Sequence, residues 1–271
     1  MSTLNASCEI DFASAASVPV ILMLRPRSGW GQWVCAERYD FTPRVPIVEY
    51  TDMFGNLCQR TIIPAGQSHV RAECTVEAPE VVDVHFGAGF VPPEWLPDPV
   101  LHYLLPSRYC PSDLLGPLAG EAAQGASPGY AQVENLRAWI HRNVEYRRGS
   151  STTTTTALDT ASARSGVCRD FAHLGVALCR ALNIPARIVA GYSRNLDEPD
   201  LHAWFEAYVG TRWYTFDATE KKTTGERISI AYGRDAVDVA LVTNFGPLEI
   251  ERIRVRVGTA LAAGDGATVR A

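Results

Sequence analysis

Cys168 stands at the point where an amphipathic helix is predicted to begin, within the stretch SGVCRDFAHL (165–174). Apolar residues recur at three- and four-residue steps after it, which predicts a helix from Cys168 to about Leu182. A thiol at a helix N-terminus faces unpaired backbone N–H groups and the positive end of the helix dipole, both of which favour the thiolate. The position therefore suits a nucleophile, although most free cysteines in proteins are small core residues.

Two aromatic-rich runs downstream carry a histidine and an aspartate that could serve such a nucleophile. Residues 201–209 and 212–217 have strand composition and are joined by a short break that contains glycine, which predicts a β-hairpin. His202 lies near the start of the first run and Asp217 ends the second. In nucleophilic catalysis a histidine accepts the thiol proton, and a carboxylate fixes the histidine tautomer and stabilises the imidazolium. A Cys-His-Asp set forms if the helix packs against the hairpin.

The register of the hairpin decides how this pair meets. If Val209-Gly210 forms the two-residue loop, His202 lies directly opposite Asp217. If Gly210-Thr211 forms it, Asp217 faces Trp204 and is diagonal to the histidine. Both registers place the two side chains on one face, within reach of an imidazole–carboxylate hydrogen bond. A loop one residue longer, without a bulge, would put the aspartate on the opposite face.

Three other polar or thiol residues of the predicted helix are weaker candidates. His173 lies about 140° around the helix from Cys168, so we expect it in helix packing or in a buried hydrogen bond. Asp170 is expected to cap the helix or to form a local salt bridge. Cys179 falls in the helix interior and is expected to be a core residue.

The first eighty residues have the composition of short strands separated by turns, without helical periodicity. This pattern predicts an all-β, sandwich-like N-terminal domain. The predicted strands cover residues 8–12, 18–24, 33–39, 45–50, 57–63 and 70–76.

A Pro-rich segment, residues 87–127, follows the strands and is too apolar for a flexible linker. We expect an ordered connector that lies across the second domain. Ser127-Pro128 then predicts the N-cap and first position of a helix ending near Asn143, and the threonine run 152–156 predicts a loop. The division is therefore predicted as a β-rich N-terminal domain with its connector over residues 1–125, and a catalytic core over residues 126–271.

Charge and hydropathy argue against two classes of function. The net charge of -5 comes without any Lys/Arg run, so no nucleic-acid partner is expected. The longest apolar run, residues 18–24, is too short to span a bilayer. The N-terminus lacks the basic region of a secretory signal. We therefore expect a cytoplasmic protein without a membrane partner.

Cysteine spacing and acidic clusters do not predict a metal site. The seven cysteines include no C-x-x-C pair, which favours reduced thiols over a disulfide framework or a zinc site. Asp197, Glu198 and Asp200 are clustered but lack the spacing of a calcium loop. No metal and no cofactor is expected.

Four motifs follow one another in the second half of the chain: GVCRDFA (166–172), IPARIVAGY (184–192), HAW (202–204) and WYTFD (213–217). Together and in this order they resemble the core of the transglutaminase-like superfamily. The resemblance extends roughly over residues 130–245. It continues more weakly into the N-terminal half, which is similar to the β-rich region of bacterial transglutaminase-like proteins often labelled cysteine peptidases. The motifs that carry this weaker resemblance are YTDMFGN (50–56) and PSRYCP (106–111).

The resemblance implies an α+β fold, a papain-like transglutaminase core preceded by the all-β domain. It implies Cys168 as nucleophile, His202 as general base and then acid, and Asp217 as the residue that orients the histidine. Tyr146 resembles the family position for an aromatic near the oxyanion and substrate site, although an ordinary core tyrosine is the alternative.

The leading interpretation is a cysteine-dependent amide hydrolase, a peptidase or amidase that works through an acyl-thioester. Two alternatives stay open, because fold and triad do not choose the acyl acceptor. One is an acyltransferase that forms amide or isopeptide bonds, and the other is an inactive peptide-binding module. A peptide or protein amide is the expected partner, and the N-terminal domain could mediate homo-oligomerisation.

Overall fold

The computed structural model describes residues 1–29, 31–194 and 201–259 of the chain and shows a mixed α+β fold. None of the helices in these residues is long and apolar enough to cross a membrane. The α-helices are α1 (Asp98–Leu101), α2 (Gly116–Ala122), α3 (Tyr130–Asn143), α4 (Ala157–Ala163) and α5 (Cys168–Ala181). The strands are β1 (Ser2–Ser14), β2 (Val18–Arg25), β3 (Trp33–Thr42), β4 (Val48–Thr51), β5 (Leu57–Ile63), β6 (Gly66–Ala78), β7 (Glu145–Tyr146), β8 (Ser165–Gly166), β9 (Ala186–Ser193), β10 (Leu201–Val209), β11 (Arg212–Phe216), β12 (Arg227–Gly233), β13 (Val242–Asn244) and β14 (Glu249–Thr259).

Two four-stranded antiparallel sheets make up the N-terminal half, in the orders β14-β1-β6-β3 and β13-β2-β5-β4. Each of the six strands predicted in this half is present. In β1 every second residue from Leu4 to Phe12 is buried, which is the period expected of a strand with one face in the core. The buried residues of both sheets belong to one apolar core that continues into the helical half.

The last two strands return to the N-terminal sheets. β13 pairs with β2, and β14 pairs along β1, with Cys8 opposite Val255. Neither strand was predicted from the sequence, because their partners lie more than two hundred residues away. The boundary at residue 125 stays a prediction, although these two strands come from beyond it.

The second half is built on the antiparallel sheet β11-β10-β9-β12, with α5 packed against β9 and β10. Every residue of α5 from Asp170 to Arg180 is buried. The close approach of helix and sheet depends on Gly175, where a Cβ atom would lie 2.5 Å from Cε1 of Phe205. The helix and the strand predicted on either side of Pro185 are both present, as α5 and β9.

The helix predicted to start at Ser127-Pro128 begins later, at Tyr130. Gly129 has a φ of 109° and forms an isolated bridge with Gly89, so the chain is still turning at this residue. A Cβ on Gly129 would lie 2.3 Å from the carbonyl oxygen of Ala88, to which the N–H of Tyr130 donates at 2.9 Å. This contact with the connector replaces the predicted serine cap.

The Pro-rich connector lies across the helical half, as predicted. The buried guanidinium of Arg180 donates to the carbonyl oxygen of Leu105 and to Ser107 Oγ, each at 3.0 Å. The carbonyl oxygen of Tyr109 accepts from the N–H of Ala157 at 2.8 Å. The segment is ordered because these backbone groups find partners on α4 and α5.

Two side-chain amides from the N-terminal half pair with β12, which is the edge strand of the second sheet. Asn56 donates to the carbonyl oxygen of Tyr232 and accepts from its N–H, both at 2.8 Å. Gln32 does the same with Ser229, also at 2.8 Å in both directions. These amides satisfy backbone groups that an edge strand otherwise leaves unpaired.

Candidate active site

Cys168 is the first residue of α5 and is half-buried. The turn before it is held by Asp170, whose Oδ2 accepts from the N–H of Val167 at 2.9 Å while Oδ1 accepts from Arg169. A Cβ on Gly166 would lie 2.7 Å from the Asp170 Cβ, so a glycine is required where the chain enters the helix. Asp170 therefore caps the helix locally and leaves the thiol free to face the sheet.

The hairpin adopts the second of the two predicted registers. Val209 pairs with Arg212, so Gly210-Thr211 is the loop, and Phe205 pairs with Phe216. Gly210 has a φ of 61°. The alternative loop would require a positive φ at Val209, and a β-branched residue strongly disfavours that conformation.

The structure brings His202 and Asp217 together in the interior. His202 Nε2 lies 2.6 Å from Asp217 Oδ2, and both side chains are almost fully buried. The other carboxylate oxygen accepts from the Thr219 hydroxyl at 2.6 Å and from the Thr219 N–H at 2.9 Å. The carboxylate is thus fixed in orientation by both of its oxygens.

Electrostatics keep Asp217 ionised. Burial favours the neutral acid, but the charges of His202 and Arg227, together with hydrogen bonds from His202 and Thr219, hold the pKa of Asp217 well below its usual range. An ionised carboxylate at Nε2 requires that nitrogen to carry a proton, so in neutral His202 the acceptor nitrogen is Nδ1.

Cys168 lies beside this histidine. Its Sγ atom is 4.0 Å from the carbonyl oxygen of Leu201, the residue before His202. Burial lowers the pKa of His202, but the charge and hydrogen bond of Asp217, with a contribution from the Cys168 side chain, raise it to about 9. The site therefore favours a protonated imidazole next to the Cys168 side chain.

Three residues of this cluster were given no role from the sequence. Arg227 Nη1 forms an ion pair with Asp217 Oδ2 at 2.7 Å, and its guanidinium lies 5.2 Å from the ring centroid of Trp204. The Trp204 ring is in turn 6.0 Å from that of His202. Thr219 is the third. Only Trp204 carried a sequence signal, through the HAW motif.

His173 is placed away from the cluster, as expected. It is fully buried, its Nε2 accepts from the N–H of Ala236 at 3.0 Å, and its ring stacks on Tyr109 at 5.2 Å. Burial lowers the pKa of His173 to about 4, so the ring is neutral at physiological pH. Its contacts are those of a packing residue.

Cys179, the second cysteine of α5, is fully buried, as expected of a core residue. Among the described residues no group of three or more His, Cys, Asp or Glu side chains is arranged to hold a metal ion. The acidic residues Asp197, Glu198 and Asp200 lie outside the described residues.

Comparison with known proteins places this arrangement in a family. Residues 117–218 match the transglutaminase-like superfamily, and residues 12–78 match the bacterial transglutaminase-like N-terminal region. A solved structure from Cytophaga hutchinsonii, of a "putative cysteine protease", is 34% identical and covers 98% of this chain and 92% of that chain, with a TM-score of 0.90. The chain belongs to the transglutaminase-like superfamily.

Two mycobacterial proteins are also similar. An uncharacterized protein of Mycobacterium leprae is 29% identical over 235 residues, which cover 80% of this chain and 82% of that protein. An uncharacterized protein of Mycobacterium tuberculosis is 31% identical over 147 residues, 48% of this chain and 47% of that protein. The first similarity covers most of the transglutaminase-like chain, and the second covers about half of it.

Tyr146 lies close to Cys168, the predicted nucleophile of this transglutaminase-like core. It belongs to β7, which pairs in parallel with β8, and Tyr146 is opposite Gly166, two residues before Cys168. Its ring is 48% exposed and lies 5.8 Å from that of Phe171. The side chain is therefore at the surface beside the site rather than in the core, and its role at the oxyanion stays a prediction.

Proposed function

We propose that this chain is a cysteine-dependent amide hydrolase in which Cys168, His202 and Asp217 act as a catalytic triad. The observation that carries the proposal is the 2.6 Å contact between His202 Nε2 and Asp217 Oδ2, made by a histidine whose other side faces the cysteine at the start of α5. This combination supplies a nucleophile, a base and an orienting acid in one buried cluster.

The proposed reaction has two halves. The thiolate of Cys168 attacks the amide carbonyl carbon while His202 holds the thiol proton, and the histidine gives this proton to the departing amine as the carbon–nitrogen bond breaks. A thioester is left on the cysteine. In the second half His202 accepts a proton from water, the hydroxide attacks the thioester, and the carbon–sulfur bond breaks to release the acid. Asp217 stays ionised throughout and holds the imidazole in one tautomer.

The acyl acceptor decides between hydrolase and transferase. Water gives hydrolysis, and a primary amine that reaches the thioester first gives a new amide. The similar structure from Cytophaga hutchinsonii is described as a cysteine protease, which supports water as the acyl acceptor. A peptide or protein amide is the proposed substrate class. The cytoplasmic location and homo-oligomerisation through the N-terminal half remain predictions.

The proposal is tested by incubating the wild type, Cys168→Ala and Cys35→Ala with a varied peptide library and following product masses. Cys35 is an exposed thiol on β3, so its removal controls for nonspecific thiol chemistry. We expect peptide cleavage or deamidation in the wild type and in Cys35→Ala, and none in Cys168→Ala.

Parallel reactions with an added primary amine distinguish the alternatives. Amine-dependent mass gain that outcompetes hydrolysis would assign the chain as an acyltransferase. If Cys168 also labels with iodoacetamide no faster than Cys35 at neutral pH, and no substrate changes, the inactive peptide-binding module is favoured instead.

A further inference from the structure

Asp217 faces two cations inside the protein. His202 Nε2 and Arg227 Nη1 contact the same carboxylate oxygen, at 2.6 and 2.7 Å. The Arg227 side chain is 5% exposed, and its Nη2 forms a second ion pair with Glu220 at 2.8 Å. Its Nε donates to the carbonyl oxygen of Thr224 at 3.0 Å. Each of the three guanidinium nitrogens therefore contacts an oxygen, and one of these oxygens belongs to the buried carboxylate.

The charge balance of the cluster changes during the proposed reaction. Before attack, the Cys168 thiolate and His202 imidazolium cancel each other, and Asp217 is balanced by Arg227. In the acyl-enzyme the cysteine and the histidine are both neutral, and Arg227 is the cation left beside the carboxylate. An uncompensated buried carboxylate is costly and takes up a proton instead. Without this arginine, the His202–Asp217 pair of the acyl-enzyme would take up a proton from solvent, which would deprive the second half-reaction of its base.

Several other charged groups near the cluster have partners of their own. Glu220 is more exposed than Asp217 and shares Arg227 with it. Arg194 pairs with Glu226 and Arg187 pairs with Glu206. On α3, Arg137 pairs with Glu134 and also donates to the carbonyl oxygen of Glu220, and His141 lies 3.2 Å from the carbonyl oxygen of Ala218. Among the residues described by the structure, Arg227 is therefore the cation placed to neutralise Asp217 when the histidine is neutral.

We propose that Arg227 is a positioning residue that keeps Asp217 ionised in the acyl-enzyme, so that His202 can act as the base in thioester hydrolysis. The inference rests on the proposed hydrolase function. It predicts a defect in deacylation, and in the pH dependence of deacylation, rather than a uniform loss of activity.

The test uses p-nitrophenyl acetate, because a thiolate attacks this ester without needing acid assistance for the leaving group. Release of p-nitrophenolate reports acylation of Cys168, and intact-protein mass reports loss of the acetyl group. The variants are Arg227→Met, Arg227→Lys and Glu220→Gln. Arg194→Met is the matched control, since Arg194 pairs with Glu226 at 2.6 Å next to the same strand without contacting Asp217.

In Arg227→Met we expect acylation within a few-fold of the wild type. The pH midpoint of deacylation should rise by about one unit, because removing a nearby positive charge makes the imidazole hold its proton more tightly. Deacylation at about pH 6 should then be about tenfold slower. Arg227→Lys should restore most of the midpoint. Glu220→Gln should lower it, since the whole guanidinium charge then acts on Asp217. Arg194→Met should behave as the wild type.

Unchanged deacylation midpoints in both Arg227→Met and Glu220→Gln would overturn the inference while leaving the hydrolase function intact. Should Arg227→Met fail to fold, the lowered midpoint expected of Glu220→Gln still decides. If the guanidinium serves only stability, Arg227→Met should lower the free energy of unfolding. The deacylation midpoint should then stay unchanged in both Arg227→Met and Glu220→Gln. Wild-type protein that is not acylated at Cys168 would instead overturn the proposed function, and the inference with it.

Discussion

Replacing Gly175 with alanine tests whether the close packing of α5 on β10 sets the distance between the proposed nucleophile and the proposed base. α5 carries Cys168 at its first residue and β10 carries His202 near its start. Gly175 lies two turns into the helix, where its Cα faces the ring of Phe205. A shift of the helix at this point displaces the thiol relative to the imidazole.

The size of the perturbation follows from the geometry. A Cβ at Gly175 would lie 2.5, 2.6 and 2.9 Å from three ring carbons of Phe205. Carbon atoms pack best at about 3.5–4.0 Å, so helix and ring must separate by roughly 1 Å. The ring cannot turn away, because it is fully buried and stacked on Phe216 at 5.6 Å. Overpacking of this kind costs about 1–3 kcal/mol, offset by up to about 1 kcal/mol from replacing a helical glycine.

We therefore expect Gly175→Ala to lose about 1–2 kcal/mol of unfolding free energy, measured by urea denaturation. Alkylation by iodoacetamide at about pH 6 reports the geometry, with the exposed Cys35 as internal standard. In the wild type Cys168 should react at least about tenfold faster than Cys35. A displacement of about 1 Å should remove most of that advantage.

Gly120→Ala is the matched control. Gly120 lies in α2, is exposed, and has no atom within 4 Å of the added Cβ. It should gain up to about 1 kcal/mol and leave the labelling unchanged. Wild-type stability and labelling in Gly175→Ala would refute the reasoning. Lost stability with unchanged labelling would show that the contact is tight but does not set the position of the nucleophile.

Three further variants test the site and its surroundings. Asp217→Asn should reduce hydrolysis by about 10³–10⁴-fold in single-turnover assays, because the amide no longer fixes the tautomer of His202. Gly191→Ala places a Cβ 2.1 Å from a backbone oxygen and 2.8 Å from the Trp204 ring, so urea denaturation should show a loss of about 2–4 kcal/mol. Because the folded-state pKa of His173 is lowered to about 4, below the unfolded value of about 6.5, its protonation favours the unfolded chain as pH falls between these values. Between about pH 7 and 5 the wild type should lose about 2 kcal/mol more stability than His173→Gln, and equal losses would contradict this assignment.

The helix and the hairpin were predictable because their signals are local. Apolar spacing over fourteen residues defines α5, and a two-residue loop fixes the face on which Asp217 lies. The choice of loop was also contained in the sequence, since the first central residue of a tight hairpin turn needs a positive φ and only Gly210 accepts one readily. Another local signal was overlooked: Thr156 and Asp159 form a capping box that starts α4.

Arg227 could not be predicted in the same way. It follows Asp217 by ten residues and reaches the carboxylate only because β12 pairs with β9, on the side of β9 that faces away from β10. No periodicity links these positions, and an arginine at a strand start is ordinarily an exposed residue. The contact depends on long-range strand order, which the sequence pattern does not specify. For the same reason β13 and β14 were not anticipated.

The strand that carries Arg227 also shows how the N-terminal half takes part in the site. β12 is an edge strand. Edge strands leave backbone N–H and C=O groups unpaired, so such a strand can shift in register or pair with another chain. Here Gln32 and Asn56 pair with two residues of that edge in both directions, as a neighbouring strand would. Asn56 ends the motif YTDMFGN, and its side chain is buried although it is polar. The motif therefore holds β12 in register, and through β12 it holds the guanidinium that faces Asp217.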